Sequence, residues 1–410
     1  MSVLYQNLGK FWKGVVVDPV RNPYTPNAGA RPPVLQGRDD LLEDFRLLVQ
    51  RVADGRSDKG YVVTGLRGVG KTVLLGEFET IARDLGAVVV TYEVPKAPGS
   101  LTRRFPALAR KALLEISPSA RWGERARRAA AVIRGFKARF DPEGGWSIEY
   151  DVSDAMSVEG VADSGDFVAD LADLVEALGE AARAEHRVVV FLIDEIQHLD
   201  STELSALVIA KHRVNQRVLP VVFAGAGLPQ LPAFTAEAQT YAERMFRWPQ
   251  IGRLDDRAAR LALLEPAARL GVGFEEAALA FITAYTEGYP YFLQEYGRAV
   301  WDAAEASPIS LRDAEDTRTT VEAVLDQDFF SVRVAGLPDR ELGYLRALAS
   351  LGPGEHTPAS VAAAMNRSGS ASVGSATARL VSRGLIYSTR RGYVAFTVPQ
   401  FDRYVRRTFG

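Results

Sequence analysis

The stretch Tyr61-Val-Val-Thr-Gly65-Leu-Arg-Gly-Val-Gly70-Lys71-Thr72 decides how this chain is read. An apolar run, YVVT (61–64), enters a glycine-rich turn, and helical spacing follows from Lys71 to Leu85. Gly65, Leu66, Arg67, Gly68, Val69, Gly70, Lys71 and Thr72 together match G-x-x-x-x-G-K-[ST]. The residue types suit a phosphate cradle. Glycines let successive backbone N–H groups turn inward around phosphate oxygens, and the next helix adds the favourable end of its dipole. Lys71 supplies a flexible point charge for the β and γ phosphates. The Thr72 hydroxyl is placed to ligate Mg2+, and Val73 completes the set.

Outward from this turn the chain alternates strand and helix. Gly86 ends the first helix, and AVVVTYEV (87–94) reads as a second strand, so the pair is parallel with a right-handed crossover. Ahead of the turn, Leu41, Leu42, Phe45, Leu48 and Val49 predict a helix over 39–52. Beyond it, residues 100–140 read as Arg-rich helices, GWSIEYDV (145–152) as a strand or hairpin arm, and 166–185 as an amphipathic helix. RVVVFLI (187–193) and LPVVFAG (219–225) are strands apolar on both faces, as in a covered parallel sheet. RMFRWPQI (244–251) reads as a fifth strand, at an edge because of Pro249. From Leu254 to about Val334 the pattern is helical throughout, with Ser310 and Asp313 as a capping pair. Residues 1–36, rich in Pro, Asn and Gly, predict an irregular, extended segment.

A second signal is Val188-Val-Val-Phe-Leu-Ile-Asp194-Glu195. A buried strand ending in two acids is costly unless they project from its C-terminal edge, where parallel sheets place ligands. Asp194 would hold Mg2+ through water, and Glu195 would polarise an attacking water.

Composition narrows the classes. The chain has 410 residues, 47% of them hydrophobic, which is enough for packed cores in two to four domains. It has no cysteine, which excludes disulfides and thiolate chemistry, and its four histidines lack metal-ligand spacing. No apolar run reaches bilayer length, and the first twenty residues lack the pattern of a secretory signal, so the expected setting is the cytoplasm. The formal net charge is −2 but is unevenly spread. From Asp339 onward ten Arg face four Asp or Glu, a basic segment on an acidic body that suits a nucleic-acid partner. The eleven Lys or Arg of 101–140 offer a second nucleic-acid surface, but read first as a solvated helix face, or one paired with acids.

Taken together, the two motifs resemble P-loop ATPases of the AAA+ and STAND groups over roughly residues 34–330. The resemblance implies bound ATP and Mg2+, with Glu195, Lys71 and Arg244 as the catalytic set and Thr72 and Asp194 at the metal. VLQGRDD (34–40) is similar to a short segment that lies near the adenine in that family, which implies roles for Gly37 and Arg38. The same residues also read as the start of a helix with Asp39 as N-cap. DEIQHL (194–199) and GAGLPQLP (225–232) resemble origin-recognition-type ATPases. Arg244, and next Arg247, stand where the family often carries an arginine finger; the alternative is an ordinary surface arginine. Gly288-Tyr289-Pro290 resembles the G-x-P element of STAND lids, where the proline packs near the base, and it also fits simple helix punctuation. Two departures point to slow turnover: Phe223-Ala-Gly-Ala-Gly227 lacks a polar sensor 1 residue, and Tyr291 stands where relatives place a sensor 2 arginine.

The last segment predicts three helices and a hairpin. The helices are Asp339–Leu351, a second one capped by Thr357 with Pro358 at its first position, and Ser372–Arg383, while the hairpin turns at Arg391-Gly392. This resembles a winged helix-turn-helix. In such a fold the third helix lies in the major groove and the wing touches phosphates, which gives Arg379, Arg383, Arg390 and Arg391 as contacts to double-stranded DNA. The expected fold class is α/β, a P-loop NTPase parallel sheet with an all-helical lid and a C-terminal winged-helix domain. The expected boundaries are 1–36, 37–253, 254–336 and 337–410. Three functions stay open: an ATPase whose nucleotide state (ATP or ADP) controls DNA binding; a STAND-like switch that self-associates, with the winged helix as a protein-docking or autoinhibitory module; and a structural ATP binder with negligible turnover.

Overall fold

The computed structural model of this chain describes residues 14–27, 29–97, 99–118, 123–140, 162, 164–232, 235 and 242–410. The strand or hairpin arm expected over 145–152 lies outside these residues. Two compact units emerge. One comprises Arg38–Gly65 and Lys71–Ile251, and the other comprises Leu66–Gly70, Gly252–Gly410 and the described part of the chain up to Gly37.

The first unit is a covered parallel sheet. Its elements are α1 (Asp39–Ala53), β1 (Gly60–Gly65), α2 (Lys71–Asp84), β2 (Val88–Glu93), α3 (Ser100–Ile116), α4 (Glu124–Phe140), α5 (Phe167–Ala184), β3 (Val189–Asp194), α6 (Ser201–Gln216), β4 (Val221–Gly227), β5 (Phe246–Arg247) and β6 (Gln250–Ile251). The spatial order is β2-β3-β4-β1, with β5 and β6 both parallel to β1. Every residue of β1, β3 and β4 is buried, which explains why these runs carry no polar alternation. Across the sheet face Phe105, Phe191 and Phe223 stack, with centroids 5.7 and 5.1 Å apart.

Two expectations need correction. The strand expected over 244–251 is broken in two at Trp248-Pro249, because proline has no N–H to continue a ladder; its carbonyl instead accepts the Thr64 N–H at 2.8 Å. Asp39 is not an N-cap: it is the first helical residue of α1, and Arg38 holds the cap position without a side-chain cap bond. The Arg-rich helices behave as amphipathic covers. α3 buries Phe105, Ala109, Leu113 and Ile116, while Arg125 of α4 turns outward to Glu180 at 3.9 Å.

Lys211 of α6 is buried at 1% exposure, with Nζ donating to the Asp58 carbonyl and to Asn215 Oδ1, each at 2.8 Å. Burial pulls its pKa down to about 8, against a smaller upward pull from Asp58. Between pH 8 and 10 the unfolded chain therefore binds the extra proton, and this residue's contribution to stability rises with pH. In parallel denaturant titrations, wild type is expected to gain stability relative to Lys211→Met over that range. A constant difference would rule out a shifted lysine.

The second unit is helical. It contains α7 (Asp256–Ala268), α8 (Glu276–Thr286), α9 (Pro290–Ala303), α10 (Leu311–Val324), a π-helical turn over Leu325–Phe330, then α11 (Asp339–Ser350), α12 (Pro358–Ala364), α13 (Gly374–Ser382), β7 (Ile386–Arg390), β8 (Tyr393–Phe396) and α14 (Phe401–Phe409). Ser310 and Asp313 form the expected capping box of α10, and Thr357 caps α12 through the Ser360 N–H. The third helix of the last segment is shorter than expected, with a 3-10 turn over Ser370–Val373 ahead of α13. The N-terminal segment, expected to be irregular, is anchored: Tyr24 Oη donates to the Leu263 carbonyl, and Trp301 Nε1 donates to the Asp18 carbonyl at 2.9 Å. No helix among the described residues is long and apolar enough to cross a membrane.

Candidate functional site

In the sheet unit, Lys71 opens α2 and is 7% exposed. Thr72 Oγ1 lies 2.7 Å from Asp194 Oδ2, so the hydroxyl after the lysine meets the acid that ends β3 across 122 residues of sequence. Asp194 is 9% exposed and also accepts the Glu195 N–H at 2.8 Å. Burial raises its pKa, and the Thr72 bond, the Glu195 N–H and the Lys71 charge partly oppose that rise. A hydroxyl and a carboxylate side by side are hard oxygen donors of the kind Mg2+ takes when phosphates supply the rest of its shell, so the residues present fit that ion.

Glu195 has φ +55, in the left-handed region that a non-glycine residue seldom adopts. Gln197 Nε2 donates to Glu195 Oε2, and His198 Nε2 stands 3.5 Å from the same oxygen. Gln197 Oε1 accepts the Leu228 N–H at 3.2 Å, so this one amide ties Glu195 to the end of β4. Packing explains the missing polar sensor on β4. A Cβ at Gly225 would fall 2.4 Å from the Ile193 carbonyl oxygen, and one at Gly227 would fall 2.2 Å from Leu231 Cδ1 and 2.7 Å from Gln197 Oε1. Gln197 therefore occupies space that a side chain at 227 would need. Sequence reading passed over it, although its place two residues after Glu195 was the available signal.

In the helical unit, the loop residues Leu66–Gly70 pack with the start of α9. Gly68 and Gly70 have φ +80 and +90, the conformations for which glycine is selected. Tyr289 Oη donates to the Arg67 carbonyl, and the Tyr291 N–H donates to the Gly68 carbonyl at 3.2 Å. The Arg67 guanidinium lies against the turn at Gly384, where an added Cβ would come within 3.3 Å of Nε and Nη2. Arg333 lies over the Phe329 ring at 3.6 Å, and burial together with the like charge of Arg67 pulls its pKa down to about 10. Pro290 opens α9 at N1, which matches helix punctuation, and Gly288, at φ +67, sits so close to Leu254 that a Cβ would be 2.4 Å from its carbonyl oxygen. Gly37 (φ +66) packs near Ala258, and burial lowers the Arg38 pKa from its ordinary value. Tyr291, at the expected sensor 2 position, stacks on Phe329 at 4.7 Å and donates its hydroxyl to Glu295.

The two finger candidates separate. Arg247 is held by Asp58 at 3.2 Å, whereas Arg244 is exposed with no ion partner among the described residues. Of the four arginines expected to face DNA, Arg379 and Arg383 both converge on Glu341, which is 1% exposed, and Arg390 pairs with Glu355 at 3.0 Å. Arg391 is exposed at the hairpin turn and has no ion partner among the described residues.

A glycine-rich turn between a buried strand and a helix, with its threonine bonded to an acid at the end of β3, one strand removed in the same parallel sheet, defines a P-loop nucleotide-binding domain. Residues 34–223 match the family model described as an AAA ATPase domain, so this region is an AAA-type P-loop ATPase domain. Residues 327–405 match a domain of unknown function, DUF8462. No curated protein sequence matches the chain. Among solved structures, the fold is shared with the Walker-type ATPase PABY2304 of Pyrococcus abyssi (12% identity, 92% of this chain and 97% of that chain, TM-score 0.54). It is shared as well with the ORC2 protein of Aeropyrum pernix in its ADP form (13% identity, 96% and 99% covered, TM-score 0.52).

Proposed function

We propose that this chain is a cytoplasmic, Mg2+-dependent ATPase of slow turnover whose nucleotide state controls a DNA-binding winged helix at residues 337–410, with a lid at 254–336. The observation that carries the reading is the 2.7 Å bond between Thr72 and Asp194, which joins the two sequence motifs at one point. When bound, Mg2+ would neutralise phosphate charge there, held by Thr72 and Asp194. Lys71 binds the phosphates, and Glu195, oriented by Gln197, takes a proton from water. The exposed Arg244 would act on a nucleotide held by a second copy, which ties turnover to self-association. The ADP form of the ORC2 protein supports nucleotide binding at this fold.

DNA binding is tested by titrating the purified chain onto duplex DNA over a range of salt concentrations, with and without ATP. Binding should weaken steeply with salt, and Arg391→Ala should lower the log–log salt slope by roughly 1. Arg379→Ala should have a mixed effect, because it also strips a partner from buried Glu341. A flat salt response counts against phosphate contacts. The second reading, a switch with a self-packed C-terminal domain, has one observation in its favour: the Gly384 turn lies on Arg67 of the phosphate loop. Salt-independent failure to bind DNA, with ATP-dependent growth in particle size, would favour it.

A further inference from the structure

Within the helical unit, the start of α9 bonds the phosphate loop at two successive carbonyls. Tyr289 Oη donates to the carbonyl of Arg67, and the Tyr291 N–H donates to that of Gly68 at 3.2 Å. A trans peptide is planar, with its C=O and N–H on opposite sides. Both peptides are trans, since the one cis bond among the described residues is Ser307–Pro308. Fixing the Arg67 carbonyl therefore aims the Gly68 N–H the opposite way, and fixing the Gly68 carbonyl does the same for the Val69 N–H. We propose that Tyr289 and Tyr291 are positioning residues for nucleotide: they hold the outer carbonyls of the loop so that the Gly68 and Val69 amides are turned toward phosphate before it arrives.

Three further features agree with this role. Gly68 leaves room for the two tyrosines, since a Cβ there would stand 3.1 Å from Tyr289 Cε1 and 3.3 Å from Tyr291 Cβ. Burial raises the Tyr289 phenol pKa, so its hydroxyl stays a donor at any working pH. The pair is also backed by a run of ring contacts: Tyr289 tilted on Phe292 at 5.0 Å, Tyr291 stacked on Phe329 at 4.7 Å, Phe329 edge-on to Phe330 at 5.2 Å, and Phe330 stacked on Phe401 at 5.5 Å and on Tyr404 at 5.1 Å. Phosphate affinity is thereby linked to the seating of the π-helical turn and of α14. The proposal rests on the reading of residues 65–72 as a nucleotide site.

The test uses the full chain and a fluorescent ATP analogue with Mg2+. Tyr289→Phe keeps the ring and removes one hydrogen bond, so affinity should fall about fivefold, with faster amide exchange at Gly68 and Val69 in the nucleotide-free chain. Phe329→Leu, which loosens the ring under Tyr291 without touching the loop, should shift both readouts in the same direction and keeps the test open if Tyr289→Phe is poorly folded. Lys71→Ala serves as the reference. If Lys71→Ala loses the analogue while Tyr289→Phe and Phe329→Leu bind and exchange as wild type, the positioning role is overturned. If Lys71→Ala itself binds normally, the nucleotide reading fails instead.

Discussion

Lys71→Ala is expected to weaken ATP binding by ~30-fold to a few thousand-fold, the consequence of removing one member of a buried charge pair worth about 2–5 kcal/mol. Lys71 is nearly buried at the first position of α2, and its charge reaches Asp194. A cation held there costs desolvation free energy that nearby anions offset, and Asp194 is one of them. A bound triphosphate would add its own negative charge. The variant should remain folded, because alanine removes the buried charge and is a good helix former. Isothermal titration of ATP with Mg2+ into wild type and variant measures the effect. Equal affinities would mean that phosphate is not bound here.

Glu195→Gln should behave differently, keeping nucleotide while losing turnover by roughly 10²- to 10⁴-fold, the usual worth of a general base. The amide preserves shape and still offers an oxygen to Gln197, so the link from Gln197 to the Leu228 N–H persists. What disappears is the group able to take a proton. The left-handed backbone at Glu195 is held by its neighbours in the protein and is indifferent to this substitution. Phosphate release measured under saturating ATP reads the loss directly. A variant that turns over like wild type would place water activation elsewhere.

The sheet was legible because strands covered on both faces must be apolar throughout, and runs such as VVFLI allow no other period. The phosphate loop and Asp194 were legible because their chemistry constrains residue type at fixed spacing. The break in the last strand was signalled by Pro249, yet its pairing with β1 through two separate pieces depends on sheet order, which local pattern does not encode. α14 left a short signal, Phe401, Tyr404 and Val405 at helical spacing with Asp402 early and Arg406 and Arg407 late. Nine residues after a hairpin are too few for that periodicity to stand out. The pairing of Arg379 and Arg383 with Glu341 was hidden for a related reason. A basic helix face looks free in sequence until the residue some forty positions earlier proves to be its buried counter-ion. Gln197 and Tyr289 share this character, since each acts through one bond to a main-chain group distant in sequence or on another element.

Amide hydrogen exchange across residues 65–72 of the wild-type chain, with and without saturating ATP and Mg2+, tests the phosphate site most directly. Slower exchange at Gly68, Val69, Gly70, Lys71 and Thr72 on adding nucleotide is the expected result. Exchange unchanged at those amides would contradict a triphosphate seated on this loop.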